Sequence, residues 1–525
     1  MRILREEALP VYERLGDVRS KAVTMGKIAD ILVARGDLDE GLRILRQKAL
    51  PLFERLGDVR SKAVTMGQIA DILVARGELD EGLRIRREEA LPVYERLGAV
   101  REKAVTMGKI ADILVARGEL DEGLRILREE ALPVYERLGD VRSKAVTMGK
   151  IADILVARGE LDEGLRIRRE EELPVYERLG DVRSKAVTMG KIADILVARG
   201  ELDEGLRILR EEALPLFERL GDVRSKAVAL GRIADILVAR GELDEGLRIR
   251  REEELPVYER LGAVRNKAVT MGKIADILVA RGELDEGLRI RREEELPVYE
   301  RLGDVRSKAV TMGQIADILV ARGELDEGLR IRREEELPVY ERLGDVRSKA
   351  VTMGQIADIL VARGELDEGL RIRREEELPV YERLGDVRSK AVTMGQIADI
   401  LVARGELDEG LRIRREEELP VYERLGDVRS KAVTMGQIAD ILVARGELDE
   451  GLRIRREEAL PLFERLGGRD LVVGLANTAG LLIHRGSADD LAAAQSYLKR
   501  AVAMADAMRM PFPEELRLWL ASNDE

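Results

Sequence analysis

The chain has 525 residues, 37% of them charged, with a net charge of −12 at pH 7, one histidine and no cysteine. The lack of cysteine excludes disulfides, thiolate metal sites and a cysteine nucleophile, and His484 alone cannot supply a histidine metal site. The acidic balance, with aromatics at only 3%, excludes the basic, base-stacking surface that nucleic acid requires.

No apolar run approaches the roughly 20 residues that span a bilayer, and the opening MRILREEALP lacks the apolar core of a signal peptide. A soluble cytoplasmic protein is expected. From Pro10 to Pro461 the motif LPVYERLG, or its variant LPLFERLG, returns every 41 residues. Residues 1–16 form half a repeat, 17–467 hold eleven full repeats, and 468–525 a divergent end. Repeats 304–344, 345–385 and 386–426 are identical. Such a period predicts an all-α solenoid, in which each repeat buries its apolar face only against its neighbours.

At the N-terminus Met1 falls at the position of Leu42, inside a second helix, so Ile3, Leu4, Leu9 and Tyr12 are expected to show apolar surface. The chain is then a fragment of a longer protein, a natural start that tolerates fraying, or an end that pairs with another chain.

Within the first full repeat, Val18, Ala22, Met25, Ala29 and Leu32 recur at steps of three and four and predict one buried helical face. Gly36 stops this helix. Asp37, Asp39 and Glu40 open a second helix at the positive end of its dipole. Leu38, Leu42, Leu50, Phe53 and Leu56 supply its apolar contacts, and Gly57 ends it. Pro51 lies inside that helix, where proline costs about 3 kcal/mol. A kink or break before LPLFERLG is expected, with a bulge that absorbs one extra residue as the alternative.

The run IADILVARG with LDEG resembles the tetratricopeptide repeat. Ile28 and Ala29 match its small-residue pair, Leu32 stands where an aromatic is usual, Gly36 matches the turn glycine, and Leu38 to Gly41 resembles its acidic signature with glycine for alanine. The longer unit is similar to the kinesin-light-chain-like and bacterial regulatory variety. The resemblance implies a right-handed superhelix of antiparallel helix pairs that binds protein or peptide on a concave face. It also implies similarity to the sensor arrays of bacterial signalling ATPases, although the chain has no G-x-x-x-x-G-K-[ST] phosphate loop. The alternative is a structural array that self-assembles through its ends.

The repeats differ at few positions. One carries leucine or arginine (Leu45, Arg86, Leu127, Arg168, Leu209, then arginine from Arg250 to Arg455), and that tolerance predicts a half-exposed outer site where a long side chain snorkels. The Ala49 position carries alanine or glutamate. The pairs Val-Tyr and Leu-Phe switch together, as copied blocks or as a packing compensation.

By the resemblance, Val23, Gly26, Lys27, Asp30, Val33 and Ala34 of each repeat face the groove. The candidate partner-binding residues are Lys27 and Asp30 and their counterparts. These are Gln68 and Asp71, Lys109 and Asp112, Lys150 and Asp153, Lys191 and Asp194, Arg232 and Asp235, Lys273 and Asp276, Gln314 and Asp317, Gln355 and Asp358, Gln396 and Asp399, and Gln437 and Asp440. Lys27 and Asp30 share a helix face, so a weak solvated pair within the helix is one reading. The other is a carboxylate ladder left uncompensated in the last four full repeats, where glutamine stands for lysine, so that the C-terminal half of the groove is the more acidic and would suit a basic peptide. No catalytic, cofactor or metal residue is identified. The C-terminal segment reads as a capping helix pair that turns at Gly486, followed by an amphipathic segment with Trp519; His484 sits near a helix end where a cation suits the dipole.

Overall fold

The computed structural model describes residues 1–508 and 510–523; Arg509, Asp524 and Glu525, all in the divergent end, lie outside the described residues. The chain divides into two compact units, Met1–Ala263 and Val264–Glu525. The first holds the opening half repeat and repeats one to six. The second holds repeats seven to eleven and the divergent end. Both are built of the same helix pair, and among the described residues there is no strand and no helix long and apolar enough to cross a membrane.

Repeat eight shows how the sequence makes the pair. Asp304 caps the first helix, Val305–Ala321, and its carboxylate accepts a hydrogen bond from the Ser307 amide at 3.0 Å. Ala309, Met312, Ala316 and Leu319 are buried, with Thr311 and Ile315 beside them. Gly323 takes a φ of 84°, which a residue with a Cβ avoids, and turns the chain back. The second helix starts at Leu325, with Asp326 and Glu327 in its first turn.

The expected break before the proline does not occur; the bulge does. Residues 325–343 form one helix interrupted by a π-helical stretch, Arg332–Glu336, after which the helix resumes at Leu337–Leu343. There the Leu337 amide donates to the Arg332 carbonyl, five residues back rather than four. The widened turn absorbs one extra residue and relieves the clash that Pro338 would otherwise make with the preceding turn.

The apolar faces meet between neighbours. In the first unit Leu196, Leu206 and Ile208 of repeat five pack with Ile233, Ala234 and Leu237 of repeat six. In the second unit Leu370 and Leu401 join Ile397 and Ile413 across repeats nine and ten. Two expected core positions are exposed instead: Val18 and Leu56, and their equivalents in later repeats, flank the inter-repeat turn and face solvent. Of the opening half repeat no residue is fully buried, and Ile3 is 66% exposed.

The divergent end forms the helices Gly468–Arg485, Ala488–Ala507 and Glu514–Ser522. Ser487 caps the second of these, and Asp490, almost fully buried, is held by both Arg485 and Ser487. Trp519 packs beside the cluster of Leu452, Leu482 and Leu498. His484 lies exposed in the last turn of its helix.

Candidate functional site

Each first helix leaves one stripe uncovered. In repeat eight Arg306, Val310, Asp317 and Ala321 are exposed, and Gln314 and Val320 are half-buried. The valine recurs at 40–49% exposure from Val64 to Val433, an apolar group kept in water once per repeat. Of the expected groove residues the glycine alone is withdrawn: Gly313 is buried. All the candidate aspartates, from Asp30 to Asp440, are exposed. Their neighbours Lys27, Lys109 and Lys273 are exposed too, while Gln68, Lys150, Lys191, Arg232, Gln314, Gln355, Gln396 and Gln437 are half-buried.

The pairing differs from the expected one. In repeats one to five a side chain of the next repeat, not one of the aspartate's own helix, reaches the aspartate. Gln68 donates to Asp30 at 2.9 Å, and Lys109 lies 3.6 Å from Asp71, Lys150 2.7 Å from Asp112, Lys191 3.3 Å from Asp153 and Arg232 3.0 Å from Asp194. The first helices stand side by side, so in repeats two to six the side chain at the Lys27 position lies along the helix before it and reaches that helix's carboxylate.

The larger departure is the arginine expected at a half-exposed outer site. Arg291, Arg332, Arg373 and Arg414 are only 1–2% exposed, among the most deeply buried large side chains of the chain. A guanidinium survives there because it is surrounded by acceptors. Arg332 donates to Asp317 of its own repeat, to the Gly313 carbonyl at 3.2 Å and to Glu336 at 2.7 Å. The Thr352 hydroxyl of the next repeat donates to the other Glu336 oxygen at 3.1 Å, and the Gln355 side-chain carbonyl accepts from Arg332 at 2.7 Å. Repeat four repeats the set with Arg168, Asp153, Glu172 and Thr188. Burial raises the pKa of Glu336 above its ordinary value, and Arg332 and Thr352 only partly oppose it.

This arrangement corrects the picture of bare aspartates beside the glutamines. Asp276, Asp317, Asp358, Asp399 and Asp440 are each paired with the buried arginine of their own repeat. Repeats seven to ten do keep one excess negative charge per cluster, because aspartate and glutamate share one arginine and glutamine follows; in repeat four Lys191 balances it. The cluster also explains the buried glycine: a Cβ on Gly313 would fall 2.6 Å from a Glu336 oxygen.

The sequence carried a signal for this that single-position reading misses. Leucine with alanine occurs in repeats one, three and five, arginine with alanine in two and eleven, and arginine with glutamate in the other six. Leucine with glutamate never occurs. A glutamate that needs its arginine is a buried one.

Two kinds of cavity follow the repeats. A cleft on the second-helix side recurs between neighbours, as where Tyr340, Lys349, Val380 and Arg383 line about 450 Å³; its Lys349 is held by Glu341 at 2.7 Å. A different cavity, about 330 Å³, opens on the first-helix stripe between repeats two and three, lined by Gly67, Asp71, Arg86, Thr106 and Lys109 among others. Among the described residues no group of three or more His, Cys, Asp or Glu is placed to hold a metal ion.

No protein-family model and no curated protein matches the chain. Solved structures do. BtubC (BKLC) from P. vanneervenii is 17% identical, with 44% of this chain and 92% of that one covered at a TM-score of 0.36. A Podosopora anserina kinesin light chain of nearly identical TPR-like repeats is 14% identical, with 38% and 97% covered at 0.33. A signal transduction ATPase with numerous domains (STAND) from Pyrococcus horikoshii, which carries a tetratricopeptide repeat sensor, is 14% identical, with 71% and 55% covered at 0.43. Helix pairs that close around a glycine turn, pack only on their neighbours and return every 41 residues make the chain an all-α, tetratricopeptide-like repeat array.

Proposed function

We propose that the array is a scaffold that binds a protein or peptide along its first-helix stripe, by contact rather than by catalysis. The observation that carries this reading is the repeated exposed valine, from Val64 to Val433, set among paired charges. Packing among the repeats does not require an apolar group there, and an apolar row with a polar rim is the anatomy of a recognition surface. The near-identity of the repeats supports a sensor or interaction role within a bacterial signalling or defence protein. The excess negative charge in repeats seven to ten supports a basic partner on that part of the stripe.

Selection of peptides from a displayed library on the immobilised chain tests it. Bound peptides should be lost when Val310, Val351 and Val392 are changed to serine and retained when the exposed Leu343 and Leu384 beside the turns are changed instead. Gln→Lys at Gln314, Gln355, Gln396 and Gln437 should weaken the basic peptides among them. Selection that ignores the valines would sink the stripe as the binding surface.

A second reading has its own observation. The opening half repeat keeps Ile3 and Leu15 at 66% and 72% exposure, apolar surface suited to self-association through that end. Growth of the light-scattering mass with concentration, absent in an Ile3→Lys, Leu15→Lys variant, would support it.

A further inference from the structure

We infer that the cavity between repeats two and three is a binding site for a single carboxylate, supplied by an acidic side chain or a C-terminus of a partner. The site is legible because the chain contains its own occupied version. In repeat four Glu172 places its carboxylate over the first-helix glycine, 2.7 Å from where a Gly149 Cβ would stand, and takes hydrogen bonds from Arg168 and Thr188. Repeat two keeps the receiving groups and lacks the glutamate, because Ala90 stands in its place. The position over the equivalent Gly67 is the cavity.

The groups left there are donors. The Arg86 side chain is 6% exposed; its Nη2 donates to the Gly67 carbonyl at 3.0 Å and meets Asp71 at 2.6 Å. The Nη1 that in repeat four binds Glu172 here faces the cavity instead, 3.5 Å from a Cβ on Gly67. Thr106 has turned its hydroxyl back onto the Glu102 carbonyl of its own helix at 2.9 Å, whereas Thr188 points it at Glu172. Thr393 makes both kinds of bond at once, so the hydroxyl can serve a carboxylate without losing its own helix.

The charge balance points the same way. Arg86 and Lys109 face one carboxylate, Asp71, which leaves one excess positive charge. The other charged residues at the rim are already matched, Arg101 with Asp140 and Glu102 with Arg60. At repeat eleven, where arginine also stands without glutamate, Arg455 is matched one to one by Asp440, and in the register set by Gly446 and Gly486 the position that follows is Asn477 rather than a cation. Tyr94, the counterpart of Tyr176 in repeat four, also lines the cavity.

The inference deepens the scaffold reading and rests on it for the identity of the ligand, but the site can be tested alone. Two variants reproduce combinations the chain already folds with: Ala90→Glu gives the arginine–glutamate pair of repeat four, and Arg86→Leu gives the leucine–alanine pair of repeats one, three and five. Saturation-transfer NMR on the full chain with acetate as probe, at ionic strength fixed with chloride, should give a methyl signal for the wild type that is lost in both variants. A labelled Gly-Ser peptide with one glutamate should bind the wild type more tightly than its glutamine analogue, and that preference should vanish in Ala90→Glu. An acetate signal equal in wild type and Ala90→Glu overturns the site. A site-specific acetate signal with no peptide binding keeps the site and removes the peptide-scaffold reading. Selected peptides that bind the valine stripe but ignore both acetate and Ala90→Glu do the reverse.

Discussion

Arg332 shows how much of this fold turns on single side chains. Its guanidinium is almost fully enclosed, and the Glu336 carboxylate beside it depends on it for charge and on Thr352 for one further hydrogen bond. Removing one partner of such a pair costs more than removing both, because the survivor keeps its desolvation without its counter-charge. Arg332→Leu should therefore destabilise repeats eight and nine by about 3–5 kcal/mol, whereas Arg332→Leu with Glu336→Ala should stay within about 1 kcal/mol of the parent. Native-state hydrogen exchange in those two repeats measures both; equal losses would refute the dependence. The same asymmetry explains why this position was misjudged from sequence. A leucine-to-arginine change reads as tolerance at a surface, and only its coupling to the alanine or glutamate four residues on shows that the arginine is inside. The candidate aspartates, by contrast, were placed on an open face by the resemblance, and they are exposed; their partners were not legible, because those come from the neighbouring repeat or from the buried arginine of the second helix.

At the scale of the element, both helices, the glycine turn and the cap were readable from spacing and from residue type. The local period fixes these without reference to neighbours. The π-helical stretch was readable only as one of two ways to seat a proline. The geometry explains why the chain takes it: Pro338 stands in the first turn of the helix that resumes at Leu337, just past Arg332–Glu336, and the extra residue there lets the helix axis continue. Deleting Arg333, an exposed residue of that stretch, should return the segment to α-helical register and press Pro338 against the preceding turn, at a cost of about 3 kcal/mol. Combined with Pro338→Ala, the deletion should lose most of that cost. Local hydrogen exchange along residues 325–343 tests the pair, and a deletion that is equally harmful with and without the proline would mean that the bulge serves something other than the proline.

Across the whole molecule the buried clusters are unevenly distributed, and this gives the array a graded response to acid. In the Val264–Glu525 unit, burial raises the pKa of Glu295, Glu336, Glu377 and Glu418 above the ordinary 4.5. A carboxyl whose folded pKa is raised holds its proton more readily folded than unfolded, so stability is gained as pH falls through the folded value and lost as pH rises from the ordinary value to the raised one. Helix-capping aspartates act in the opposite sense: hydrogen bonds from the helix start hold Asp140 and Asp181 in the first unit below the ordinary range, and similar bonds outweigh burial at Asp345 and Asp386 in the second, so their contribution fades as pH falls. Caps occur in both units, whereas four of the glutamates with raised values lie in consecutive repeats of the second. The clean comparison is therefore the wild type against Glu336→Ala, Glu377→Ala, Glu418→Ala, in which the caps are unchanged and cancel. As the pH is lowered from neutrality towards 4.5, protection of repeats eight to ten from hydrogen exchange, corrected for the intrinsic rate, should rise in the wild type relative to the triple variant. A difference that does not change with pH would mean that these glutamates ionise as freely inside the array as they do in water.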